Sequence, residues 1–406
     1  VRSNYEGKTD VYGAFIERCL SFSSEDGHVS MVTPENFMFL YYFRGLRKKL
    51  LSESYFIEAA HLSGHSFSMK DRPFTIPFVL RGDPPSSGQY SRFYRMTHEQ
   101  DRYDSHKKKI SGLDQIARTL RSGESHKDVY SFSQTRIDDI GRRPFLYWFG
   151  DETLSLFSKY PSIDDIAEVK QGLATGDDDR FVRKSWELPQ SELENRFKRF
   201  QKSGTDSEYY DIPEDFVDWK QAGDPIAEYD GSRPQNMDYY FKQGTTFRSF
   251  GNYFVSRIKP ENTIFSHKAH AIFPKDVSNE ILLANLNSTL HRFIANGLNP
   301  GLNFEVGDAK RFPLKSDYKY QEELAELVKT GIQERKALSQ LTEISADFEG
   351  SAITELLESS TIDLLYTEET AQARILTVHG ISDTLLFDEY EISPETQEQM
   401  YANLPK

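Results

Sequence analysis

The stretch Val169-Lys-Gln-Gly-Leu-Ala-Thr-Gly-Asp-Asp-Asp-Arg-Phe-Val-Arg183 sets the organisation of the chain. Gly172 and Gly176 bracket Thr175, so the backbone can turn where a larger side chain would block it. A run of aspartates comes next, and then two arginines around a phenylalanine. Spacing alone predicts a tight turn beside a solvated charge run.

Length and composition bound the class of protein. At 406 residues the chain is too long for one ordinary core, so we expect two or three domains. Its single cysteine, Cys19, cannot form an internal disulfide, which favours a reducing, cytoplasmic location. No apolar run reaches membrane-spanning length, and no signal peptide is visible, so we expect no membrane partner. Because the chain begins at Val1 within a patterned segment, we expect it to be a fragment of a longer protein.

The net charge of −14 is unusual for a protein that binds DNA, because phosphate contacts require cations. The acidity is concentrated, however: residues 321–406 contain 18 acidic and 5 basic residues. By contrast, residues 242–275 contain six basic residues and one acidic residue. This distribution indicates an acidic tail and a basic patch in the body of the chain. A mildly halophilic source would also explain excess acid, and composition does not decide between the two.

The first hundred residues alternate helical and extended patterns. Residues 9–22 predict an amphipathic helix with one apolar face, made of Val11, Phe15, Cys19 and Phe22. A second helix is expected near 39–51. Extended runs are expected at 28–33, 56–60, 74–80 and 90–94. The Gly/Pro-rich segment 82–88 predicts that the last two runs form a hairpin. Together these patterns predict the back half of a doubly wound α/β sheet.

The middle of the chain is less regular. Residues 98–143 are polar and predict a connector, whereas 144–149 begin a new apolar block. Residues 186–241 predict a loop-rich insert. In 244–274 basic residues alternate with aromatic ones, a pattern that suits a DNA-facing β surface or, equally, a mixed sheet with ordinary core aromatics. His267 and His270 lack partners at metal-ligand spacing, so no metal is expected.

The last third predicts mostly helices. Residues 278–297 predict one continuous helix that Gly297 terminates. The segment 299–314 contains turn residues and a proline. A charged amphipathic helix is expected over 319–341, and acidic helical segments are expected from there to residue 406.

Several of these segments together resemble one family, the large adenine-specific DNA methyltransferases. Residues 172–183 resemble the entry motif of their target-recognition domain, and 283–290 with 299–314 resemble its closing segment. Residues 7–18 and 32–37 resemble the segments on the C-terminal side of the catalytic Asn-Pro-Pro-Tyr motif. The group includes fused restriction–modification enzymes and the phage-growth-limitation X proteins of BREX phage-defence systems, which this chain resembles more specifically.

The resemblance implies a fold and a domain layout. The expected class is α/β: the back half of a class I (Rossmann-like) methyltransferase sheet, then an α+β target-recognition domain and a helical C-terminal tail. The corresponding ranges are 1–97 for half of the catalytic domain, 98–143 for a connector, 144–318 for the recognition domain and 319–406 for the acidic helical region.

The resemblance also implies an activity, namely methyl transfer from S-adenosylmethionine to the N6 amine of adenine in duplex DNA. The sequence departs from the family in one respect that matters. It has neither Asn-Pro-Pro-Tyr nor a glycine-rich cofactor loop, and Asp83-Pro-Pro-Ser86 is only a distant likeness. We therefore expect no cofactor-binding residue in this chain, and no activity from it alone.

Candidate site residues come from the same likeness. Phe67 is the candidate for stacking on the target base, although a phenylalanine in a β-rich stretch is usually a core residue. The residues expected to contact DNA are Gln171, Thr175, Arg180, Arg183, Arg248, Arg257, Lys259, His267, Lys268, Asn299 and Asn303. The residues expected to form structural turns are Gly172, Gly176, Gly307 and Asp308.

Three functions stay open at this point. The first is part of a methyltransferase whose partners are duplex DNA and other proteins of a defence system. The second is a non-catalytic DNA-specificity module beside a separate methyltransferase or nuclease chain. The third and weakest is a nuclease-fused enzyme, since no Pro-Asp…Glu-x-Lys or His-Asn-His pattern is visible.

Overall fold

The computed structural model describes residues 5–24, 26–62, 64, 74–86, 88–97, 103–137, 140–202, 206–301, 303–340 and 361–404. These residues form two compact units, one ending at Ser158 and the other running from Lys159 to Leu404. Among the helices in these ranges, none has the length and apolar character needed to cross a membrane.

The first unit combines helices with one sheet. Its helices are α1 (Val11–Phe22), α2 (Arg44–Glu53), α3 (His106–Arg121) and α4 (Asp151–Lys159). Its strands are β1 (His28–Pro34), β2 (Tyr55–His61), β3 (Thr75–Arg81), β4 (Ser91–Arg95) and β5 (Val129–Phe132). Short 3-10 turns occupy Glu35–Met38, Tyr41–Phe43 and Gln134–Ile137.

The strand order of this sheet is β1-β3-β2-β4-β5. Because β1 and β2 both pair antiparallel with β3, they run in the same direction, and α2 connects them. Strand β4 is parallel to β2 and antiparallel to β5. The expected hairpin between 74–80 and 90–94 is wrong, because β2 lies between β3 and β4 and pairs with both.

Helix α1 packs through a different face from the one expected. Val11, Phe15 and Phe22 are 67, 57 and 71% exposed, whereas Ile16 is fully buried. Gly13 allows the close approach, since a Cβ there would lie 2.9 Å from the ring of Phe43. The helix therefore buries the side that carries Gly13, Ile16 and Glu17, and the apolar face predicted from the sequence is largely exposed.

The aromatic block 144–149 lies in the core of this first unit. The Phe145 ring is 5.1 Å from Phe56 and 6.1 Å from Phe37, centroid to centroid. The sequence pattern places this block at the start of the recognition domain, but its apolar rings complete the sheet's core instead. The expected connector likewise supplies α3 and the edge strand β5, because the buried side chain of Ile116 packs against the sheet.

The second unit contains more sheet and longer helices. Its strands are β6 (Ala167–Lys170), β7 (Leu173–Ala174), β8 (Val182–Lys184), β9 (Phe197–Gln201), β10 (Asp215–Asp218), β11 (Arg233–Pro234), β12 (Gly244–Arg248), β13 (Ser256–Lys259), β14 (Thr263–Phe265) and β15 (Ala269–Pro274). Its helices are α5 (Ile163–Ile166), α6 (Asp178–Phe181), α7 (Asp224–Ala227), α8 (Asn279–Asn287), α9 (Thr289–Leu298), α10 (Val306–Ala309), α11 (Gln321–Gln340), α12 (Thr361–Glu389) and α13 (Pro394–Asn403). Short 3-10 turns occupy Ser185–Glu187, Lys220–Gly223 and Met237–Tyr239.

Two four-stranded sheets frame this unit, in the orders β14-β9-β10-β8 and β13-β12-β15-β6, and β7 forms a separate two-stranded pair with β11. A core of buried apolar residues, including Phe200, Phe265 and Phe273, packs within it. The segment 186–241, which the sequence predicts to be rich in loops, contributes β9, β10, β11 and α7. Apolar and polar residues do not alternate regularly in this segment, so the sequence pattern does not reveal its strands.

The helix expected over 278–297 is two helices. Ser288 is extended, with φ −68° and ψ 154°, and its Oγ accepts a hydrogen bond from the backbone N–H of His291. A serine that caps the second helix therefore ends the first.

The C-terminal helices pack on this pair. The buried carboxylate of Asp383 on α12 accepts hydrogen bonds from Thr289 N at 2.8 Å and Oγ1 at 2.6 Å. The Tyr390 hydroxyl donates to Asn285 Oδ1 at 2.8 Å. The acidic region from residue 361 onwards is thus part of the second unit and not a detached tail.

Candidate nucleic-acid interface

The glycine-rich turn is built by two glycines with different roles. Gly176 has φ +78°, as expected for a turn glycine, and a Cβ there would lie 2.8 Å from the backbone of Gly231. Gly172 does not have positive φ. It allows a close approach instead, because a Cβ at this position would lie 1.9 Å from the carbonyl oxygen of Phe265. Both positions therefore exclude side chains.

The aspartates hold the turn in place. Asp177 caps α6 by accepting from Arg180 N at 3.0 Å, and its other oxygen accepts from the Tyr229 hydroxyl at 3.2 Å. The buried Thr175 donates its hydroxyl to Asp178. Two of the three aspartates are thus bound within the fold and do not form a free charge run.

Three segments that are far apart in sequence meet at this turn. His267 N donates to Leu173 O at 2.9 Å, and Gln171 Nε2 donates to His267 O at 3.3 Å. From the third segment, Asn236 Nδ2 donates to Gln171 O at 2.9 Å. They enclose a cleft of about 540 Å³, lined by Ala174, Thr175, Gly176, Asp177, Asp178, Asp179, Tyr229, Gly231, Arg233 and His267.

The charges in the cleft are partly balanced. Lys202 Nζ lies 2.8 Å from Asp178 Oδ2. Burial alone would raise the pKa of Asp178, but hydrogen bonds from Lys202 and Thr175 lower it. Burial lowers the pKa of His267, which favours the neutral ring. The Nδ1 atom of His267 is buried and has no hydrogen-bond partner among the described residues. The cleft therefore presents carboxylates, an imidazole and the guanidinium of Arg233 together, which can both accept and donate hydrogen bonds at base edges.

Several residues expected to contact DNA lie at or beside this cleft. Thr175, His267 and Gln171 build it. The exposed side chain of Arg180 lies over the ring of Tyr229, at 5.1 Å from its centroid. Lys268 is exposed and comes directly after His267. The structure thus brings together five of the expected residues.

Two of the expected phosphate contacts are buried, so the structure corrects them. Arg257 is 1% exposed and pairs with Asp211 at 2.5 Å. Lys259 has no exposed surface; its ammonium donates to the carbonyl of Lys242 at 2.6 Å, and burial lowers its pKa to about 7. Both lie on β13, where the sheet core covers them, because their strand is buried along its whole length.

Two other expected arginines are engaged locally. Arg183 donates to the backbone carbonyls of Asp179 and Val182, each at 2.7 Å. Arg248 pairs with Asp206. Both side chains are held by the protein in this structure, so they are weaker candidates for phosphate contact than Arg180.

The Asn299–Asp308 segment forms a closed hydrogen-bond cluster. Asn299 Nδ2 donates to Asp308 Oδ2 at 2.7 Å and to Asn303 O at 2.5 Å. Asp308 also accepts from Glu305 N at 3.0 Å and from Arg311 at 2.7 Å. The Asp308 carboxylate therefore holds this segment together, and the Asn299 side chain serves the fold as well. Gly307 lies inside α10 and not in a left-handed turn.

Sequence reasoning missed Arg233, Tyr229 and Lys202. All three lie in the segment around the insert, where the sequence has no clear period. The sequence near Tyr229 and Arg233 indicates only a local turn: Gly231, which has φ +89° in the structure, lies just before Arg233 and Pro234. No spacing rule connects Tyr229 and Arg233 with a turn that lies so far before them in the chain.

A second polar cluster lies in the first unit, at the carboxyl ends of β1 and β2. The His61 ring lies 3.0 Å from Glu35 Oε2 and 2.7 Å from the Tyr147 hydroxyl, and all three residues are buried. Burial lowers the pKa of the neighbouring Lys109 to about 8. Phe67, the candidate for base stacking, lies outside the described residues. Among the residues that the structure describes, no group of three or more His, Cys, Asp or Glu side chains could hold a metal ion.

Two comparisons with known proteins find similarity to restriction-modification and adenine-specific methyltransferases. Residues 1–67 match the model of the Eco57I restriction-modification methylase family. The chain is 25% identical over 340 residues to the adenine-specific methyltransferase PglX of Lacticaseibacillus casei (strain Zhang), covering 77% of this chain and 27% of that protein. It is also 25% identical over 367 residues to the adenine-specific methyltransferase BrxX of Escherichia coli O9:H4 (strain HS), covering 86% and 28%.

Among solved structures, the chain is similar in fold to the Type IIL restriction-modification enzyme MmeI in complex with DNA. The TM-score is 0.55 at 12% identity, over 99% of this chain and 52% of that one. The chain spans about a quarter of the length of its curated relatives. The chain is thus similar to the adenine-specific methyltransferases PglX and BrxX, the kind of protein that its motifs resemble.

Proposed function

We propose that this chain binds duplex DNA and reads its sequence as part of a site-specific adenine methyltransferase. The second unit is the target-recognition domain in this proposal, and the cleft at the glycine-rich turn is its reading site. The observation that carries the proposal is the cleft itself. It joins acceptors, donors and flanking exposed cations on the turn that resembles the family's entry motif. The named activity of PglX and BrxX, and the DNA bound in the MmeI structure, support it.

The first unit is assigned to the back half of a Rossmann-like catalytic sheet. Strands β1 and β2 run in the same direction and are joined by α2, as in a doubly wound sheet. Ligands bind such sheets at the carboxyl ends of the strands. In this unit that edge carries the buried Glu35, His61 and Tyr147.

The whole protein is proposed to transfer a methyl group to the N6 amine of adenine. S-adenosylmethionine would supply that methyl group, and the target base must leave the stack before it can react. The sequence contains no glycine-rich cofactor loop and no Asn-Pro-Pro-Tyr motif. We therefore assign to this chain the binding and positioning of DNA. The proposal also includes other proteins of a defence system as partners. It includes a cytoplasmic location as well.

Salt-dependent binding tests the proposal. Random-sequence duplex DNA is titrated with the full chain by fluorescence anisotropy at several salt concentrations. If Arg180, Arg233 and Lys268 contact phosphates, their joint replacement by Ala should weaken binding. It should also reduce the log–log salt slope by roughly 0.9 for each phosphate that is no longer neutralised.

The matched control removes three cations from the C-terminal region, Lys319, Lys329 and Lys336, and so has the same net charge as the first variant. It should leave the slope almost unchanged. Equal slopes for the two triple variants would refute the assignment of the cleft surface to DNA. A non-catalytic specificity module would bind DNA in the same way. The gene sequence upstream distinguishes the two functions, because an in-frame run of codons for Asn-Pro-Pro-Tyr there would establish the methyltransferase.

A further inference from the structure

Phe250 is exposed in a way that its neighbours are not. It lies in the loop between β12 and β13 and is 63% exposed. Phe247 and Phe254, on either side of it, are buried and stack on each other at 4.9 Å. The loop thus exposes the Phe250 ring to solvent while Phe247 and Phe254 are buried, although burial of an apolar ring is favourable.

The backbone around this ring is held on both sides. Ser249 N donates to Lys268 O at 3.0 Å, and Phe304 N donates to Ser249 O at 2.8 Å. Phe250 itself forms an antiparallel bridge with Asn303. Because the loop is fixed before any ligand arrives, binding to the ring would cost little ordering entropy.

The backbone beside this ring is hydrogen-bonded to the residue that follows the cleft residue His267. His267 lines the cleft, Lys268 is the next residue, and the carbonyl of Lys268 holds Ser249 next to Phe250. Lys268 is exposed. Of the six basic residues in segment 242–275, Arg257 and Lys259 are buried, whereas Lys242, Lys268 and Lys275 are exposed. An exposed aromatic ring whose loop is hydrogen-bonded to an exposed lysine residue suits a nucleic acid better than an apolar partner.

We propose that Phe250 stacks on a nucleobase of the bound DNA, beside the bases that the cleft reads. This inference rests on the proposed function, because it requires DNA on this surface. Stacking recognises the flat face that every base has, so the ring adds affinity without selecting a sequence. Apolar side chains of this kind also wedge between base steps and open the stack locally.

Photo-crosslinking tests this stacking without knowledge of the recognition sequence. The full chain is bound to a random-sequence duplex pool in which 5-iodouracil replaces part of the thymine, and is then irradiated. We expect a crosslinked peptide that contains Phe250. Phe250→Leu should remove this crosslink and weaken binding roughly tenfold. The salt slope should not change, because every phosphate contact is kept.

Two further variants make the result decisive. Phe250→Trp keeps a stacking ring and should keep both the crosslink and the affinity. Tyr401→Leu removes a comparably exposed aromatic ring, 54% exposed, from α13 and should have no effect. Normal DNA binding by Phe250→Leu, with crosslinks only at other residues, would overturn the inference but not the proposed function. A wild-type chain that fails to bind any duplex overturns both.

Discussion

Two glycines in the central turn test the geometry of single residues. We expect Gly172→Ala to destabilise the second unit by about 3 kcal/mol or more, because its Cβ would collide with a backbone carbonyl that cannot rotate away. Gly176→Ala should cost about 1–2 kcal/mol for its positive φ and more for the close approach to Gly231. Thermal unfolding of the full chain measures both effects.

A third glycine supplies the control for this pair. A Cβ at Gly380, in α12, would meet nothing within 4 Å. Gly380→Ala should therefore be neutral, or stabilise by up to about 1 kcal/mol through helix propensity. Equal effects of all three changes would show that the turn does not need its glycines.

Lys259 predicts a pH dependence of stability. Its pKa is lowered to about 7 in the folded protein, from 10.5, so the folded state binds its proton more weakly than the unfolded state does. Lys259 therefore lowers the free energy of unfolding by its full amount below about pH 7. This loss of stability shrinks as the pH rises and vanishes above the pKa of the unfolded state. Lys259→Met should therefore stabilise the protein at pH 6, and the gain should fall steadily towards pH 10.

Urea unfolding of wild type and variant at four pH values between 6 and 10 measures this difference. Lys242→Met, which removes an exposed lysine of the same unit, is the control for the loss of a lysine side chain. A Lys259 difference that does not vary with pH would contradict the lowered pKa of this buried lysine. Such an outcome would make Lys259 a candidate for phosphate contact again.

At the scale of elements, helix α1 has one buried and one exposed apolar face, and the sequence does not tell which is which. Phe15 is 57% exposed and the adjacent Ile16 is fully buried. We expect Ile16→Ala to cost about 2–5 kcal/mol because it leaves a cavity in the core. Phe15→Glu should change the free energy of unfolding by less than about 0.5 kcal/mol. If chemical denaturation shows the reverse order, the helix packs through its wide apolar face after all.

The same helix shows what sequence patterns can and cannot supply. The period of apolar residues places α1 and α11 close to their observed ranges, because amphipathicity is a local property. It selects the wrong face of α1, because Gly13 and the buried Glu17 form the packing surface. Glu17 is satisfied by Gly7 N at 2.6 Å and by Lys49 at 3.0 Å, and no apolar period reveals such partners.

Strand pairing and the site depend on residues that are distant in sequence. A turn signal at 82–88 predicts a local hairpin, but β2 inserts from earlier in the chain. The motif is enough to find the glycine turn but not its partners Tyr229 and Arg233, since only folding brings them to it. Basic residues on β13 are misassigned because alternation of charge and aromatics does not report which side of a strand is covered.

At the scale of the whole molecule, we expect that this chain alone does not methylate DNA. The sequence has no cofactor loop and no catalytic Asn-Pro-Pro-Tyr motif. Incubation of this chain with tritiated S-adenosylmethionine and mixed genomic DNA should therefore give counts no higher than a reaction without protein. The same preparation should bind duplex DNA in the anisotropy assay, which shows that it is folded. Methyl incorporation above background would disprove the assignment of roles.

The buried ion pair of Arg257 limits how this protein can be re-engineered. Its partner Asp211 comes from the insert, and nearby Glu208 pairs with Arg292 on α9 at 2.5 Å. Tyr209 between them is clamped to β13 by two backbone hydrogen bonds, at 3.2 and 2.9 Å. A chimera that imports a foreign insert without Asp211 would remove the carboxylate partner of the buried Arg257 guanidinium, at a cost of about 3–5 kcal/mol. Chimeras that exchange the insert should therefore retain residues 208–211 of this chain and replace only other residues of the insert.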